Sequence, residues 1–230
     1  MSGRLDLIIG CMFAGKTGEF ISRYRKYKGM GREILVINHS SDKRYGKGVV
    51  STHDRDKITC MSSDGLLEIS TSERYIKADI IMIEEAQFFT DLVEFVQHGM
   101  DIDRKHFIVC GLSGDCFRRP FGEILDLIPL CTDITHLKAL CVECDREGQE
   151  CPAVYSMRKT SDKRQTVVGA ADTYIPVCHR HYMVNYFNTS ETIDKCESKT
   201  KNTKTTTGKV DTKSNGSVGD TGSEWMLWGC

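Results

Sequence analysis

The chain has 230 residues, enough for one α/β domain with a smaller appendage. Its 31 basic and 32 acidic residues leave a formal net charge of −1, so no bulk charge drives it onto nucleic acid or a membrane. There is no long apolar run of membrane-spanning length and no signal-peptide pattern at Met1-Ser2-Gly3-Arg4, and eleven scattered cysteines, an odd number, argue against a disulfide framework. The expectation is a cytoplasmic, reducing compartment, with neither nucleic acid nor membrane as a partner.

The first predicted element is an apolar strand over residues 5–9, followed by a helix over 17–27. Between them lies Gly10-Cys11-Met12-Phe13-Ala14-Gly15-Lys16-Thr17, a G-x-x-x-x-G-K-[ST] pattern in strand-to-helix context, which reads as a phosphate-binding loop. Gly10 and Gly15 let the backbone curl and aim amides at a polyphosphate. Lys16 offers a point charge to the outer phosphates, the Thr17 hydroxyl suits Mg²⁺, and the helix N-terminus adds positive potential. The bland alternative is a glycine-punctuated turn; Cys11, with no evident redox partner, reads as a small filler. Further β-type runs at 33–38, 79–83 and 107–111 alternate with helical spacing such as Phe20, Ile21, Tyr24 and Tyr27. This alternation predicts a mainly parallel sheet flanked by helices.

The strand at 79–83 runs into Glu84-Glu85-Ala86-Gln87-Phe88-Phe89. Ligands bind at the carboxyl ends of strands in open α/β sheets. In P-loop proteins an acid there holds Mg²⁺. Glu84, one methylene longer than the usual Asp, takes that place, and Glu85 is left to act as a base. The alternative is that both acids merely cap the next helix.

Residues 136–188 differ in kind, being rich in Cys, His and turn residues. Cys141-x-x-Cys144 and Cys178-x-x-His181 form two metal knuckles with spacing suited to tetrahedral Zn²⁺. Four protein ligands leave no position for water, so the zinc is structural. His179 and Cys151 are competing ligands. After about Asn188 the chain turns to Lys, Thr, Ser, Gly and Asn and reads as a disordered tail with an apolar end at 224–230. The expected organisation is a P-loop α/β domain at 1–135, a zinc-binding domain at 136–188 and a tail at 189–230.

Taken together, these motifs resemble the type II thymidine kinase family of cells and large DNA viruses, over about residues 3–188. Gly10 to Thr17 resembles the family's G-x-M-F-[SA]-G-K-[ST] loop, Asp42-Lys43-Arg44-Tyr45 its D-x-R-Y element, Thr52-His53-Asp54 its T-H-D, and Glu84 to Phe89 its D-E-x-Q-F-F. Gly111-Leu112-Ser113-Gly114-Asp115 with Arg118-Arg119-Pro120-Phe121-Gly122 resembles the following strand and turn, and Gly169 to Tyr174 through Cys178 and His181 the closing signature. The resemblance implies a P-loop fold with a zinc-bound lasso, and transfer of the γ-phosphate of ATP to the 5′-hydroxyl of thymidine. It implies Glu85 as general base. Gly10, Cys11, Met12, Phe13, Ala14, Gly15, Lys16, Thr17, Asp42, Lys43, Arg44, Glu84, Glu85, Ala86 and Gln87 would bind ATP and Mg²⁺. The backbone of Gln165, Thr166, Val167, Val168 and Gly169 would bond the pyrimidine, with Cys116, Phe117 and Tyr174 against the nucleoside. It also implies a homotetramer and feedback inhibition by dTTP.

Two departures stand out. Glu84 replaces the family's Asp, and the base-contacting Phe falls at Cys116, with Phe117 one residue later. On a strand, alternation sends Phe117 to the opposite face, so either a bulge restores the contact or the pocket is roomier. That leaves a broader deoxypyrimidine nucleoside kinase as an alternative. A GTPase predicts [NT]-K-x-D, and Gly208-Lys209-Val210-Asp211 lacks its first residue. A nucleic-acid-binding zinc module predicts a basic surface, whereas charge between 141 and 181 is balanced. A P-loop zinc protein without kinase activity sits poorly with intact Lys16, Thr17, Arg44 and Glu85.

Overall fold

A computed structural model of the chain describes residues 2–42, 48–51, 57–160, 162, 164–166 and 172–185. Expectations for Lys43, Arg44, Val167, Val168, Gly169 and the tail at 189–230 lie outside the described residues. In chain order the elements are β1 (Arg4–Gly10), α1 (Lys16–Gly29), β2 (Ile34–His39), β3 (Val49–Ser51), β4 (Lys57–Thr59), β5 (Met61–Ser63), α2 (Glu73–Lys77), β6 (Ile80–Glu84), α3 (Leu92–Asp101), β7 (His106–Leu112) and β8 (Asp133–Leu137). The zinc-knuckle segment follows as β9 (Ala139–Leu140), α4 (Val142–Arg146), β10 (Pro152–Ala153), β11 (Tyr155–Arg158) and β12 (Tyr174–Val177), then a helical stretch at 179–185.

Six strands form one sheet in the order β5-β2-β6-β7-β1-β8, and every adjacent pair is parallel. A parallel sheet is covered on both faces, which is why its inner strands are apolar throughout rather than alternating; all five residues of β6 are buried. One face packs Leu5, Leu7, Ile81, Phe95 and Phe107 beneath α3. The other packs Ile8, Met82 and Ile108 against Phe20 and Ile21 of α1. Each such side chain contributes about 1.5–3 kcal/mol by leaving water. The four strands and the helix expected from sequence are all present. The edges β5 and β8 are additional; β8, Asp-Ile-Thr-His-Leu, is half polar and mostly exposed, so it lacks the apolar run that betrays an inner strand. Among the described residues no helix is long and apolar enough to cross a membrane.

Register sets the site. Gly10 pairs with Leu112 and Ile83 with Val109, so β1, β6 and β7 end along one edge of the sheet. The two loop glycines serve different ends. Gly15 adopts φ 80°, a left-handed conformation that starts α1. Gly10 is needed for a close approach: a Cβ there would lie 2.4 Å from the Leu137 carbonyl oxygen of β8. A third cluster joins Cys11 and Ala14 of this loop to Cys141, Cys144, Ala153, Val177, Cys178 and Tyr182. The expected border at 135 falls within β8.

Candidate active site

The Gly10–Thr17 loop is fastened from behind. The Met12 amide donates to Ser156 Oγ at 2.9 Å and the Cys11 thiol to the Ala153 carbonyl at 3.4 Å, so β10 and β11 brace the loop. Lys16 folds over it, its Nζ donating to the Cys11 carbonyl at 2.8 Å. Phe13, at φ 65°, is held left-handed without being glycine, a conformation that costs roughly 1–2 kcal/mol.

Opposite Lys16 stand the two acids at the end of β6. Thr17 Oγ1 donates to Glu84 Oε1 at 2.7 Å, joining the start of α1 to β6. Glu84 is 3% exposed, and its Oε2 is buried with no hydrogen-bond partner among the described residues. Burial, and then repulsion from Glu85, push its carboxyl up to about 7. A threonine hydroxyl beside a buried carboxylate oxygen that lacks a donor is the oxygen set that Mg²⁺ takes together with substrate phosphates, so these residues fit that ion.

Glu85 follows at φ 52°, ψ 39°, a strained backbone for a glutamate, and its side chain makes no capping hydrogen bond to the short 3-10 turn Ala86–Phe88 that it precedes. That rules out helix capping as its explanation. Its Oε2 instead accepts from Gln87 Nε2 at 2.6 Å, while Gln87 Oε1 accepts from the Leu112 amide at 3.1 Å. Gln87 is 2% exposed. Two glycines leave room for it: a Cβ on Gly111 would lie 2.5 Å from Gln87 Oε1, and one on Gly122 would lie 2.2 Å from the Gln87 carbonyl oxygen. The residue thus spans from β7 to Glu85.

Beyond β7 the chain turns. Asp115 organises the turn: its Oδ1 accepts from the amides of Phe117 at 2.8 Å and Arg119 at 2.9 Å, and its Oδ2 accepts from Gln165 Nε2 at 3.0 Å. Cys116 is buried, which raises its thiol pKa, and its carbonyl accepts from the Tyr182 hydroxyl at 2.9 Å. Phe117 is 37% exposed, its ring 5.6 Å from the Arg158 guanidinium and 5.7 Å from that of Arg119. Strand alternation therefore does not govern this pair, because β7 ends at Leu112. Arg118, at φ 63°, lies over the Tyr182 ring at 4.6 Å.

The knuckles converge. One ligand atom from each of Cys141, Cys144, Cys178 and His181 lies within 4.8 Å of the others, and all four residues are buried. Cys144 and Cys178 Sγ are 3.7 Å apart, and His181 Nδ1 stands 3.4–3.5 Å from the three sulfurs. A zinc tetrahedron with its usual bond lengths spaces S···S at about 3.8 Å and S···N at about 3.6 Å, so the set fits Zn²⁺. His181 Nε2 lies 3.1 Å from Glu147 Oε1, the outer carboxylate that fixes a ligating ring. His179 and Cys151 stand outside the group, His179 against the Tyr155 ring and Cys151 in the surrounding apolar cluster.

Comparison with known proteins gives the lineage. The thymidine kinase family model matches residues 3–182. The chain belongs to the thymidine kinase family. It is similar to thymidine kinase a of Arabidopsis thaliana, 39% identical over 188 residues covering 80% of this chain and 77% of that one. Thymidine kinase of Yaba monkey tumor virus is 38% identical, covering 79% and 95%. Cytosolic thymidine kinase of Homo sapiens is 36% identical, covering 78% and 73%.

Within this thymidine kinase family member the structure brings the loop residues, Glu84, Glu85, Ala86 and Gln87 to one edge of the sheet. Asp42 follows β2, its amide on the His39 carbonyl and its Oδ2 accepting from Asn38 Nδ2 at 3.1 Å. Gln165 reaches the Asp115 turn, Tyr174 is buried at the start of β12, and Thr166 is exposed. Sequence reasoning missed Ser156, Glu147 and Arg158. The first two carry no motif of their own. Arg158 enters the sequence reading only as one of the balanced charges between 141 and 181.

Proposed function

We propose that the chain is a Mg²⁺-ATP-dependent thymidine kinase that transfers the γ-phosphoryl group of ATP to the 5′-hydroxyl of thymidine, giving dTMP and ADP. The observation that carries this is the Thr17–Glu84 hydrogen bond at 2.7 Å with the strained Glu85 beside it, in a chain of this family. The loop from Gly10 to Thr17 cradles the phosphates with Lys16 over them, and Asp42, Lys43, Arg44 and Ala86 complete the nucleotide side. Thr17 and Glu84 hold Mg²⁺, which when bound neutralises phosphate charge. Glu85 accepts the proton of the 5′-hydroxyl as that oxygen bonds to the γ-phosphorus and the bond to ADP breaks. Gln87 aims Glu85. Residues 1–135 carry the nucleotide side and also lend Cys116 and Phe117 to the nucleoside, which 136–188 surrounds with Tyr174 and the 165–169 backbone. Cys141, Cys144, Cys178 and His181 hold a structural Zn²⁺. A homotetramer, feedback by dTTP and a cytoplasmic location belong to the same reading through the family resemblance; sedimentation with and without dTTP tests the first two.

The test is ADP release from Mg²⁺-ATP with thymidine, deoxyuridine, deoxycytidine or guanosine as acceptor. Thymidine-dependent ADP with dTMP formed supports the reading. Turnover of several pyrimidines indicates a pocket widened at Cys116. No acceptor-dependent turnover by metal-replete protein refutes it.

A further inference from the structure

Arg158 ends β11, and all five of its guanidinium N–H groups are used within the protein. Nη1 donates to the carbonyls of Asp162 at 2.7 Å and Arg164 at 2.6 Å. Nη2 donates to the Gln165 carbonyl at 2.9 Å and to the Tyr174 hydroxyl oxygen at 2.8 Å, and Nε donates to that same oxygen at 3.2 Å. The cation also lies 5.6 Å from the centre of the Phe117 ring and 5.2 Å from that of Tyr174. Gln165, held by its carbonyl, extends its side-chain amide to Asp115 Oδ2 at 3.0 Å and the Pro120 carbonyl at 3.3 Å. One side chain therefore joins three separate pieces: the loop after β11, the start of β12 and the turn after β7.

The chemistry is unusual for a surface arginine. None of its four acceptors is a carboxylate, and no other side chain could make all five bonds, because only a planar guanidinium offers five donors in a fixed fork. Carbonyls of an exposed loop are otherwise satisfied by water and leave the loop free to sample many conformations. Gathering three of them on one cation selects a single conformation, with charge-assisted bonds stronger than neutral ones. An oxygen that accepts two bonds from a cation turns its own proton away, so Tyr174 meets any further partner as a donor.

We infer that Arg158 is the positioning residue of the nucleoside pocket: it sets the Gln165 backbone and the Tyr174 hydroxyl in place to receive a pyrimidine nucleoside. The identity of that ligand rests on the thymidine kinase reading. The role is distinct from general fold support, because Arg158 contacts neither the phosphate loop nor the acids of β6 in any of these bonds.

The experiment compares full-length, metal-replete wild type with Arg158→Ala and Arg158→Lys. The alanine variant raises the KM for thymidine ~10- to 100-fold, the effect of one or two charge-assisted hydrogen bonds, while the KM for ATP moves less than about threefold. Lysine recovers little of this, since its three donors radiate from one point. Added guanidinium ion, at concentrations too low to denature, partly restores the thymidine KM of the alanine variant and leaves wild type unchanged. An unaltered thymidine KM, or both KM values rising together without rescue, overturns the inference. A second readout does not depend on turnover: trypsin cleaves within residues 159–166 faster in Arg158→Ala than in wild type, and equal rates overturn the inference even if the kinase reading stands. Wild type that forms no ADP with thymidine refutes the kinase reading and the ligand named here with it.

Discussion

Replacing Gln87 by leucine separates the positioning of Glu85 from the packing around it. Leucine is close in volume and fits between Gly111 and Gly122, but it loses both amide bonds. The Leu112 N–H is then left without an acceptor next to a residue only 2% exposed, which costs about 1–3 kcal/mol. For a chain of this size that lowers Tm by roughly 2–12 °C. Glu85 loses the 2.6 Å bond that fixes its Oε2 and relaxes from its strained backbone. Ångström-scale misplacement of a reacting group costs up to about 100-fold, so kcat should fall ~10- to 100-fold with the KM for ATP held. Thermal unfolding gives the first quantity, and steady-state ADP release with saturating thymidine gives the second. A Tm drop of the expected size with kcat within about twofold of wild type would show that Gln87 props β7 alone, and the reasoning about Glu85 would be wrong.

Two further perturbations test other parts of the structure. Chelation of zinc should lower Tm and weaken ATP binding ~10-fold or more, reversibly on adding Zn²⁺, because the knuckle residues share a cluster with Cys11 and Ala14 and Ser156 holds the Met12 amide; calorimetric titration showing unchanged ATP affinity would contradict that bracing. Asp6 is buried, which by itself raises its pKa, yet hydrogen bonds from His106 at 3.0 Å and Arg4 at 2.8 Å outweigh burial and hold it below its ordinary 3.8. A depressed folded-state pKa contributes stability above the ordinary value that is lost as pH falls through the depressed one. Asp6→Asn should therefore cost about 1–3 kcal/mol at neutral pH and flatten the acid limb of stability below about pH 4; urea unfolding curves that run parallel for the two proteins across that limb would refute it.

Much of this molecule is legible in its residues, for definite reasons. Inner parallel strands must be apolar on both faces, so 5–9, 33–38, 79–83 and 107–111 stand out, whereas β8, exposed at an edge, does not. The phosphate loop and the metal knuckles are visible because local spacing alone sets their geometry. What spacing misses is whatever the tertiary fold brings together. From sequence Gly10 reads as room for the loop to curl; the fold adds a second demand, its close approach to Leu137 on a strand more than a hundred residues later. Cys11 was read as filler, but it bonds Ala153 and belongs to the zinc-side cluster. The Cys116–Phe117 problem arose from assuming that β7 continues past Leu112, where Asp115 instead closes a turn. Arg158 was invisible because three of its four acceptors are backbone carbonyls, which carry no residue signature.

The central claim is that Glu85 takes the proton of the thymidine hydroxyl beside a nucleotide cradled by the Gly10–Thr17 loop. The most direct measurement is thymidine-dependent dTMP formation by wild type and Glu85→Gln side by side, with ATP binding recorded for both. The account predicts that wild type forms dTMP and that the variant binds ATP as before but turns over ~10²- to 10⁴-fold more slowly. A variant with undiminished turnover would remove Glu85 from the role of base and contradict the account.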